Sequence, residues 1–351
     1  MLKASRRSAV PMTLLIIGLL LSFAAGCSDD DGGGTVNPTV SEFEIVSDAA
    51  NAFLSSGASA TMSSSALYTT LNDGITSNDP FILDIRSATD FAAGHIPGAV
   101  NVPYRDVAKT ANSGVYPASQ QIVVVCYTGH TASQVTAWLG SMGYDATALK
   151  FGMSSWTVDP TYNPSVATVR PYDVSQDCGD YPVSTAATTP GSYAAPALDN
   201  TSSTSETEIV RAAADTWLAK GTSGVTTASA VYTNLNDGNT ANDPLILDVR
   251  GASDYAAGHV TGAINVPFRE IATTANLAKL DPTKSIVVIC YTGHTASQTT
   301  MLLNMMGYDA QTMKYGMTSW TVDPTKNPSI TTIKYYDEST DCGDYPCETG
   351  S

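Results

Sequence analysis

Between Ser41 and Ser55 apolar side chains recur at helical spacing (Phe43, Val46, Ala49, Ala50, Phe53, Leu54), which predicts an amphipathic helix. Ser63 to Leu71 predicts a second, shorter one. Phe81-Ile82-Leu83-Asp84-Ile85-Arg86 reads as a buried strand and Ala99-Val100-Asn101-Val102-Pro103 as a short strand. Ile122-Val123-Val124-Val125 is an unbroken β-branched run, the pattern of a central parallel strand covered on both faces. Thr131 to Met142 then reads as a helix closed by Gly143, and Asp145 to Lys150 as a further strand. Strands alternating with helices predict an α/β fold with a parallel-stranded sheet flanked by helices.

The whole pattern returns, without a gap, at an offset of 164 positions (290 − 126). Asp84 maps to Asp248, Arg86 to Arg250, His95 to His259, Cys126 to Cys290, Trp156 to Trp320 and Cys178 to Cys342. The match runs from about Val46/Val210 through Pro182/Pro346. Solenoid repeats have periods of roughly 20–50 residues, so a period this long is duplication of a complete domain. The expected organisation is one domain over 42–183 and a second over 206–347. The Ser/Thr/Ala/Pro-rich linker 184–205 between them imposes little constraint by itself.

At the N-terminus Lys3, Arg6 and Arg7 precede an apolar stretch from Met12 to Phe23, and small residues lead to Cys27. The stretch is shorter than the about 20 residues of a membrane span and has the layout of a secretory signal. Leu21-Ser22-Phe23-Ala24-Ala25-Gly26-Cys27 resembles the bacterial lipobox. By that resemblance 1–26 is a lipoprotein signal peptide, Cys27 carries the lipid, and 27–41 is a flexible spacer built around Asp29-Asp30-Asp31-Gly32-Gly33-Gly34. An ordinary secretory peptide cut nearby, with Cys27 left as a thiol, is the alternative. Ser28 after the cysteine points, by analogy with enteric sorting, to the outer membrane. The expected location is lipid-anchored and outside the cytoplasm of a bacterium, on the periplasm side of sorting, with the lipid as the only membrane contact.

The charge fits that location. The chain holds 17 Lys and Arg against 33 Asp and Glu, a net charge of −16. Residues 1–26 carry three of the bases and no acid, so without them the net charge is −19 (14 − 33). Such acidity excludes nucleic acid as a partner class. No CxxC pair is present and only four histidines are spread over two domains, so no metal site is expected.

The chemistry concentrates in Cys126-Tyr127-Thr128-Gly129-His130-Thr131-Ala132-Ser133, which recurs unchanged as Cys290-Tyr291-Thr292-Gly293-His294-Thr295-Ala296-Ser297. Each cysteine falls at the carboxyl end of a strand and just before a helix, where ligands bind in open α/β sheets. A loop entering a helix turns backbone N–H groups toward its bowl and favours thiolate. Gly129 lets the loop curl tightly. The expectation is a cradled, nucleophilic, partly exposed thiolate in each domain.

With these loops stand two further motifs. The first is Leu83-Asp84-Ile85-Arg86 followed by Asp90-Phe91-Ala92-Ala93-Gly94-His95-Ile96-Pro97-Gly98-Ala99-Val100-Asn101-Val102-Pro103. The other is Gly143-Tyr144-Asp145 followed by Phe151-Gly152-Met153-Ser154-Ser155-Trp156. The second copy has Leu247-Asp248-Val249-Arg250, Gly258-His259-Val260-Thr261-Gly262-Ala263-Ile264-Asn265-Val266-Pro267 and Gly316-Met317-Thr318-Ser319-Trp320. Together they resemble the rhodanese family of sulfurtransferases, twice over, so the resemblance implies two rhodanese-like domains. It implies covalent catalysis in which Cys126 and Cys290 take sulfane sulfur from a donor such as thiosulfate and pass the persulfide sulfur to a thiol or cyanide. The substrate-binding loops would be Tyr127, Thr128, Gly129, His130 and Thr131, and Tyr291, Thr292, Gly293, His294 and Thr295. Six-residue loops are associated in this family with sulfur, seven-residue loops with phosphatase and arsenate-reductase relatives.

Two departures bear on the substrate. Thiosulfate-using relatives often carry Arg or Lys in the loop and an Arg just before the aromatic of the first motif; here those pre-aromatic positions are Asp90 and Asp254. Cationic help for a dianion would have to come from backbone amides and from His130 or His294. The implied partners are a small sulfur-containing substrate and an acceptor thiol, small or thioredoxin-like, with no cofactor. Two alternatives stay open: a persulfide carrier or binding module delivering sulfur to a partner, and thiolate handling of another chalcogen oxyanion such as selenite.

Around the loops, Asp84 with Arg86 and Asp248 with Arg250 are expected to support the sheet end. His95 and His259 are expected to make structural hydrogen bonds, and Trp156 and Trp320 to be core residues. Cys178, Cys342 and Cys347 remain. In an oxidising compartment a Cys342–Cys347 disulfide is the first expectation and Cys178–Cys342 the alternative; a tail cysteine that accepts the persulfide sulfur is a third reading.

Overall fold

The first repeat comprises α1 (Glu42–Ser55), β1 (Thr61–Met62), α2 (Ser64–Leu71), β2 (Phe81–Asp84), α3 (Ala88–Ala93) and β3 (Val100–Asn101). It continues through β4 (Ile122–Val125), α4 (His130–Ser141), β5 (Ala146–Leu149), α5 (Met153–Trp156) and α6 (Val174–Asp177). The second begins with α7 (Glu206–Leu218), β6 (Val225–Thr226), α8 (Ala228–Leu235), β7 (Leu245–Asp248), α9 (Ala252–Ala257) and β8 (Ile264–Asn265). It ends with α10 (Thr274–Leu277), β9 (Ser285–Ile289), α11 (His294–Met305), β10 (Asp309–Met313), α12 (Met317–Trp320) and α13 (Glu338–Asp341). This computed structural model describes residues 40–58, 60–198, 201 and 203–350. The expected signal peptide, Cys27 and nearly all of the 27–41 spacer lie outside them.

Each repeat is an α/β domain with an all-parallel sheet. The strand orders are β1-β5-β4-β2-β3 and β6-β10-β9-β7-β8. The β-branched run Ile122 to Val125 is the central strand, and all four of its residues are buried, as helices on both faces require. Local chemistry sets the helix starts. Ser41 and Glu44 form a capping box on α1, and the side chains of Ser63 and Ser87 accept the Ala66 and Asp90 N–H groups on α2 and α3. Among the described residues no helix is long and apolar enough to cross a membrane.

The two domains share a core, beside a smaller buried cluster within each. A single cluster joins Phe53, Val135 and Trp138 of the first repeat to Trp217, Met301 and Leu302 of the second. It forms where α4 packs on α11 and α1 on α7. Polar bonds cross the same interface in symmetric pairs. Arg105 Nη1 donates to Leu218 O at the end of α7 (2.9 Å), and Arg269 Nη1 to Leu54 O near the end of α1 (3.0 Å). A cation placed on the free carbonyls of a helix C-terminus also meets the negative end of its dipole.

The tails are exchanged. After α6 the chain leaves its own repeat and runs along the second one. Gly179 N bonds Ser319 O (3.1 Å), Tyr181 N bonds Trp320 O (2.9 Å), and Ser184 pairs with His259. After α13 the second tail returns the arrangement, with Gly343 N on Ser155 O (3.1 Å), Tyr345 N on Trp156 O (2.9 Å) and Glu348 paired with His95. Each tail also receives the indole of the other repeat: Trp156 Nε1 donates to Pro346 O (2.9 Å) and Trp320 Nε1 to Pro182 O (2.8 Å). The linker runs along the second repeat, where Tyr193 N bonds Ala278 O (2.8 Å), and touches the first at Thr201, whose Oγ1 donates to Glu42 Oε1 of α1 (2.6 Å).

Ending the chain at Asp341 should therefore damage the first repeat, although the deleted residues belong to the second. With hydrogen bonds worth on the order of 1 kcal/mol each removed, amide exchange over 153–157 should speed roughly tenfold or more, while 317–321 keeps its protection. Hydrogen exchange read by mass spectrometry on both proteins measures this.

Candidate active site

β4 delivers Cys126 at its carboxyl end and Gly129, at φ +87°, turns the chain into α4. Inside this turn the Gly129 N–H donates to Cys126 Sγ at 3.1 Å, and Gly293 N to Cys290 Sγ at 3.1 Å. Both sulfurs also lie at the positive end of a twelve-residue helix. They are more enclosed than expected: Cys126 is 2% exposed and Cys290 1%, so the partly exposed thiol is corrected to a buried one. The cause is the packing of α4 on α11, which brings the two loops against each other.

A second stretch of backbone lies directly against each loop: it is the Phe151-Gly152-Met153-Ser154 and Gly316-Met317-Thr318 motif of the family resemblance, which the sequence alone did not make part of the site. Met153 N bonds Cys126 O (2.7 Å) and Ser154 N bonds Tyr127 O (3.1 Å); in the other repeat Met317 N bonds Cys290 O (2.8 Å) and Thr318 N bonds Tyr291 O (3.2 Å). The approach is possible because Gly152 and Gly316 lack a side chain: a Cβ would stand 2.4 Å from Cys126 O and 2.4 Å from Cys290 O. Phe151 and Tyr315, just before these glycines, are held at φ 62°, a left-handed conformation costly for an aromatic residue. An aromatic-Gly-Met sequence straight after a strand was the available signal.

The remaining loop residues split in direction. Tyr127 turns away from the sulfur and donates to Asp90 Oδ2 (2.5 Å), as Tyr291 donates to Asp254 Oδ2 (2.6 Å). Burial works against ionisation of Asp90, but hydrogen bonds from Ser87, Tyr127 and Ser165 outweigh it and hold the carboxyl below its ordinary value. Burial, with help from Asp254, pushes the Tyr291 phenol up to about 12. The two acids thus anchor loop tyrosines to the starts of α3 and α9. Thr131 and Thr295 form part of the first turns of α4 and α11.

His130 and His294 point across the domain boundary. His130 Nε2 accepts the Tyr315 N–H (3.1 Å), His294 Nε2 accepts the Phe151 N–H (3.1 Å), and the two rings stack with centroids 5.8 Å apart. A backbone N–H can only donate, so each Nε2 is unprotonated. Each Nδ1 then carries the hydrogen and donates to the hydroxyl of Thr128 or Thr292 (3.1 Å in both). Burial first, then His294 and Lys314, hold His130 well below its usual value; burial and Lys150 take His294 down to about 3. The expected cationic help from these histidines is corrected accordingly: they are neutral.

The supporting pairs are buried at the sheet end. Arg86 Nη2 meets Asp84 Oδ2 and Arg250 Nη2 meets Asp248 Oδ2, both at 2.7 Å, and each arginine also reaches a carbonyl, Gly94 O (2.6 Å) or Gly258 O (2.7 Å). Ile85 N on Val125 O (2.8 Å) ties this turn to the strand that presents Cys126. His95 and His259 bond Phe91 O (2.8 Å) and Tyr255 O (2.7 Å) through Nδ1, and Trp156 and Trp320 are buried. Among the described residues Cys126, Cys178, Cys290, Cys342 and Cys347 are free thiols. The expected Cys342–Cys347 disulfide is absent because the exchanged tail carries them to different clusters, Cys342 beside Phe151 and Tyr336, Cys347 beside Leu67 and Ile96. The repeats differ at several neighbours of the site: besides Phe151/Tyr315 and Ser154/Thr318, Tyr104, whose hydroxyl donates to Gln134 Oε1, is Phe268 in the second.

The sequence profile of the rhodanese-like domain matches residues 67–159 and 227–323, more than half of the chain. The chain belongs to the rhodanese-like domain family. It is 36% identical over 62 residues to thiosulfate sulfurtransferase PspE of Escherichia coli, covering 18% of this chain and 60% of that protein, less than two thirds of its length. It is 34% identical over 76 residues to thiosulfate sulfurtransferase GlpE of Shewanella oneidensis, covering 21% of this chain and 73% of that protein. A solved rhodanese-like domain protein from Staphylococcus aureus is 23% identical, with 29% of this chain and 94% of that one covered and a TM-score of 0.26.

The neutral histidines have a measurable consequence. The unfolded chain binds a proton on each ring near pH 6.5, and the folded chain does so only far lower, near 3 for His294. Stability therefore falls as pH drops through this window, by about 1.4 kcal/mol per pH unit for each ring. Urea unfolding between neutral pH and about pH 5 should show this slope, and His130→Gln with His294→Gln should flatten it. Equal slopes in the two proteins would contradict buried neutral rings.

Proposed function

We propose that the protein is a sulfurtransferase that carries sulfane sulfur on Cys126 and Cys290. The observation that carries this reading is the six-residue loop, present twice, in which a cysteine at a strand end receives a backbone N–H and faces a helix N-terminus. In that environment the sulfur is met by a backbone N–H and the positive end of a helix. With thiosulfate as donor, the Cys126 thiolate attacks the outer sulfur. An S–S bond forms at Sγ, the S–S bond of thiosulfate breaks, and sulfite leaves with the electron pair. An acceptor thiolate or cyanide then attacks the persulfide's outer sulfur and returns the cysteine as thiolate.

The two thiosulfate sulfurtransferase relatives support thiosulfate as donor. The lack of Arg or Lys in either loop favours a second reading, a persulfide carrier that passes sulfur to a thiol or thioredoxin-like partner. We place the protein outside the cytoplasm, anchored by lipid at Cys27 in the outer membrane. What supports this is the basic-apolar-small pattern that precedes Cys27 and the acidic balance of the remaining chain.

Intact-mass spectra after thiosulfate treatment test the chemistry. Wild type should gain two sulfurs, Cys126→Ser and Cys290→Ser one each, and the double variant none. A double variant that loads like wild type would sink the assignment of both cysteines. Cyanide then separates the two readings: rapid unloading to thiocyanate supports turnover, and sulfur released only to a protein thiol supports a carrier.

A further inference from the structure

Each loop rests on backbone whose position is fixed from the opposite repeat. Cys126 O and Tyr127 O bond the Met153 and Ser154 N–H groups, and Gly152 stands too close for any side chain. The N–H that precedes this contact, on Phe151, is satisfied by His294 of the second repeat, whose own Nδ1 is fixed by Thr292. The mirror path runs from Thr128 through His130 to Tyr315 N and Gly316, which lies against Cys290 O. Resting on the sulfurtransferase reading for its consequence though not for its geometry, we propose that each histidine is a positioning residue for the cysteine of the other domain. His294 sets the Cys126 loop, His130 sets the Cys290 loop, and the two sites work as a reciprocal pair.

Three observations carry this. Phe151 and Tyr315 hold a left-handed backbone that an aromatic residue keeps only when its surroundings enforce it, and the crossed hydrogen bond is attached at that residue. Both N–H groups are buried, so a lost acceptor leaves an unpaired donor that drives the segment to move. The segment cannot move alone, since Gly152 and Gly316 are packed against the loop backbone with no slack for even a methyl group. Because the interacting rings are neutral, their acceptor nitrogens stay available throughout the ordinary pH range.

The test uses the full chain in a Cys290→Ser background, so that sulfur loading reports Cys126 alone. Adding His294→Leu should slow loading of Cys126 by thiosulfate roughly tenfold or more and speed amide exchange over 126–131 and 151–154 by a similar factor. His294→Gln should restore both, because its carbonyl oxygen reaches the place of Nε2; His294→Asn, one atom shorter, should not. An unchanged Cys126 in His294→Leu overturns the proposal, and so does a Gln variant as impaired as Asn, which would mark the ring as mere filling. If His294→Leu fails to fold, the comparison of Gln with Asn decides alone. If the Cys290→Ser parent takes up no sulfur, the sulfurtransferase reading fails for Cys126, and the exchange data still decide the coupling.

Discussion

The packing of α4 on α11 is the contact on which the rest of the molecule depends. These helices begin at the two cysteine loops, so joining them face to face buries both loops and places the two histidines within bonding range of the opposite repeat. It also explains a composition that is odd for a surface helix. Ser133, Gln134 and Thr136 of α4 are fully buried, as are Ser297, Gln298, Thr299 and Thr300 of α11. Small polar side chains allow close approach, and several return their hydrogen bonds to nearby carbonyls: Ser133 Oγ to Gly129 O (2.8 Å), Gln134 Nε2 to Ser223 O (2.8 Å), Gln298 Nε2 to Ala60 O (3.0 Å).

The electrostatic character of the site follows from this burial. Burial penalises a charged imidazole, so the rings stay neutral and act as acceptors. The acids just outside, Asp90 and Asp254, are occupied by tyrosine hydroxyls. What meets each cysteine sulfur is backbone: one glycine N–H and the end of a helix. Donors of this kind are fixed in place by the fold before any ligand arrives.

Much of this was legible in the chain. Hydrophobic periodicity located α1, α2, β2, β4, α4 and β5 to within about two residues, because long periodic segments and β-branched runs have few alternatives. The duplication and the cysteine loops needed only comparison of the chain with itself. What escaped was everything that depends on how the copies meet. A histidine after a glycine in a loop reads as an exposed side chain or a substrate donor, and only the opposing repeat makes it an acceptor for Phe151 or Tyr315. The burial of Cys126 and Cys290 was hidden for the same reason. Short α3, α5 and β1 were missed because elements of two to six residues carry no measurable period.

The exchanged tails couple the order of synthesis to the order of folding. A chain emerging amino-terminus first presents the entire first repeat, with its core strands, its loop and Cys126, well before residues 343–348 exist. Trp156 then has no carbonyl for its indole and Ser155 no partner for its own until that segment arrives. The second repeat finds its borrowed tail already made. The repeat that comes first in the chain therefore depends on a segment that follows the second, and its thiol lacks a complete housing until that segment docks.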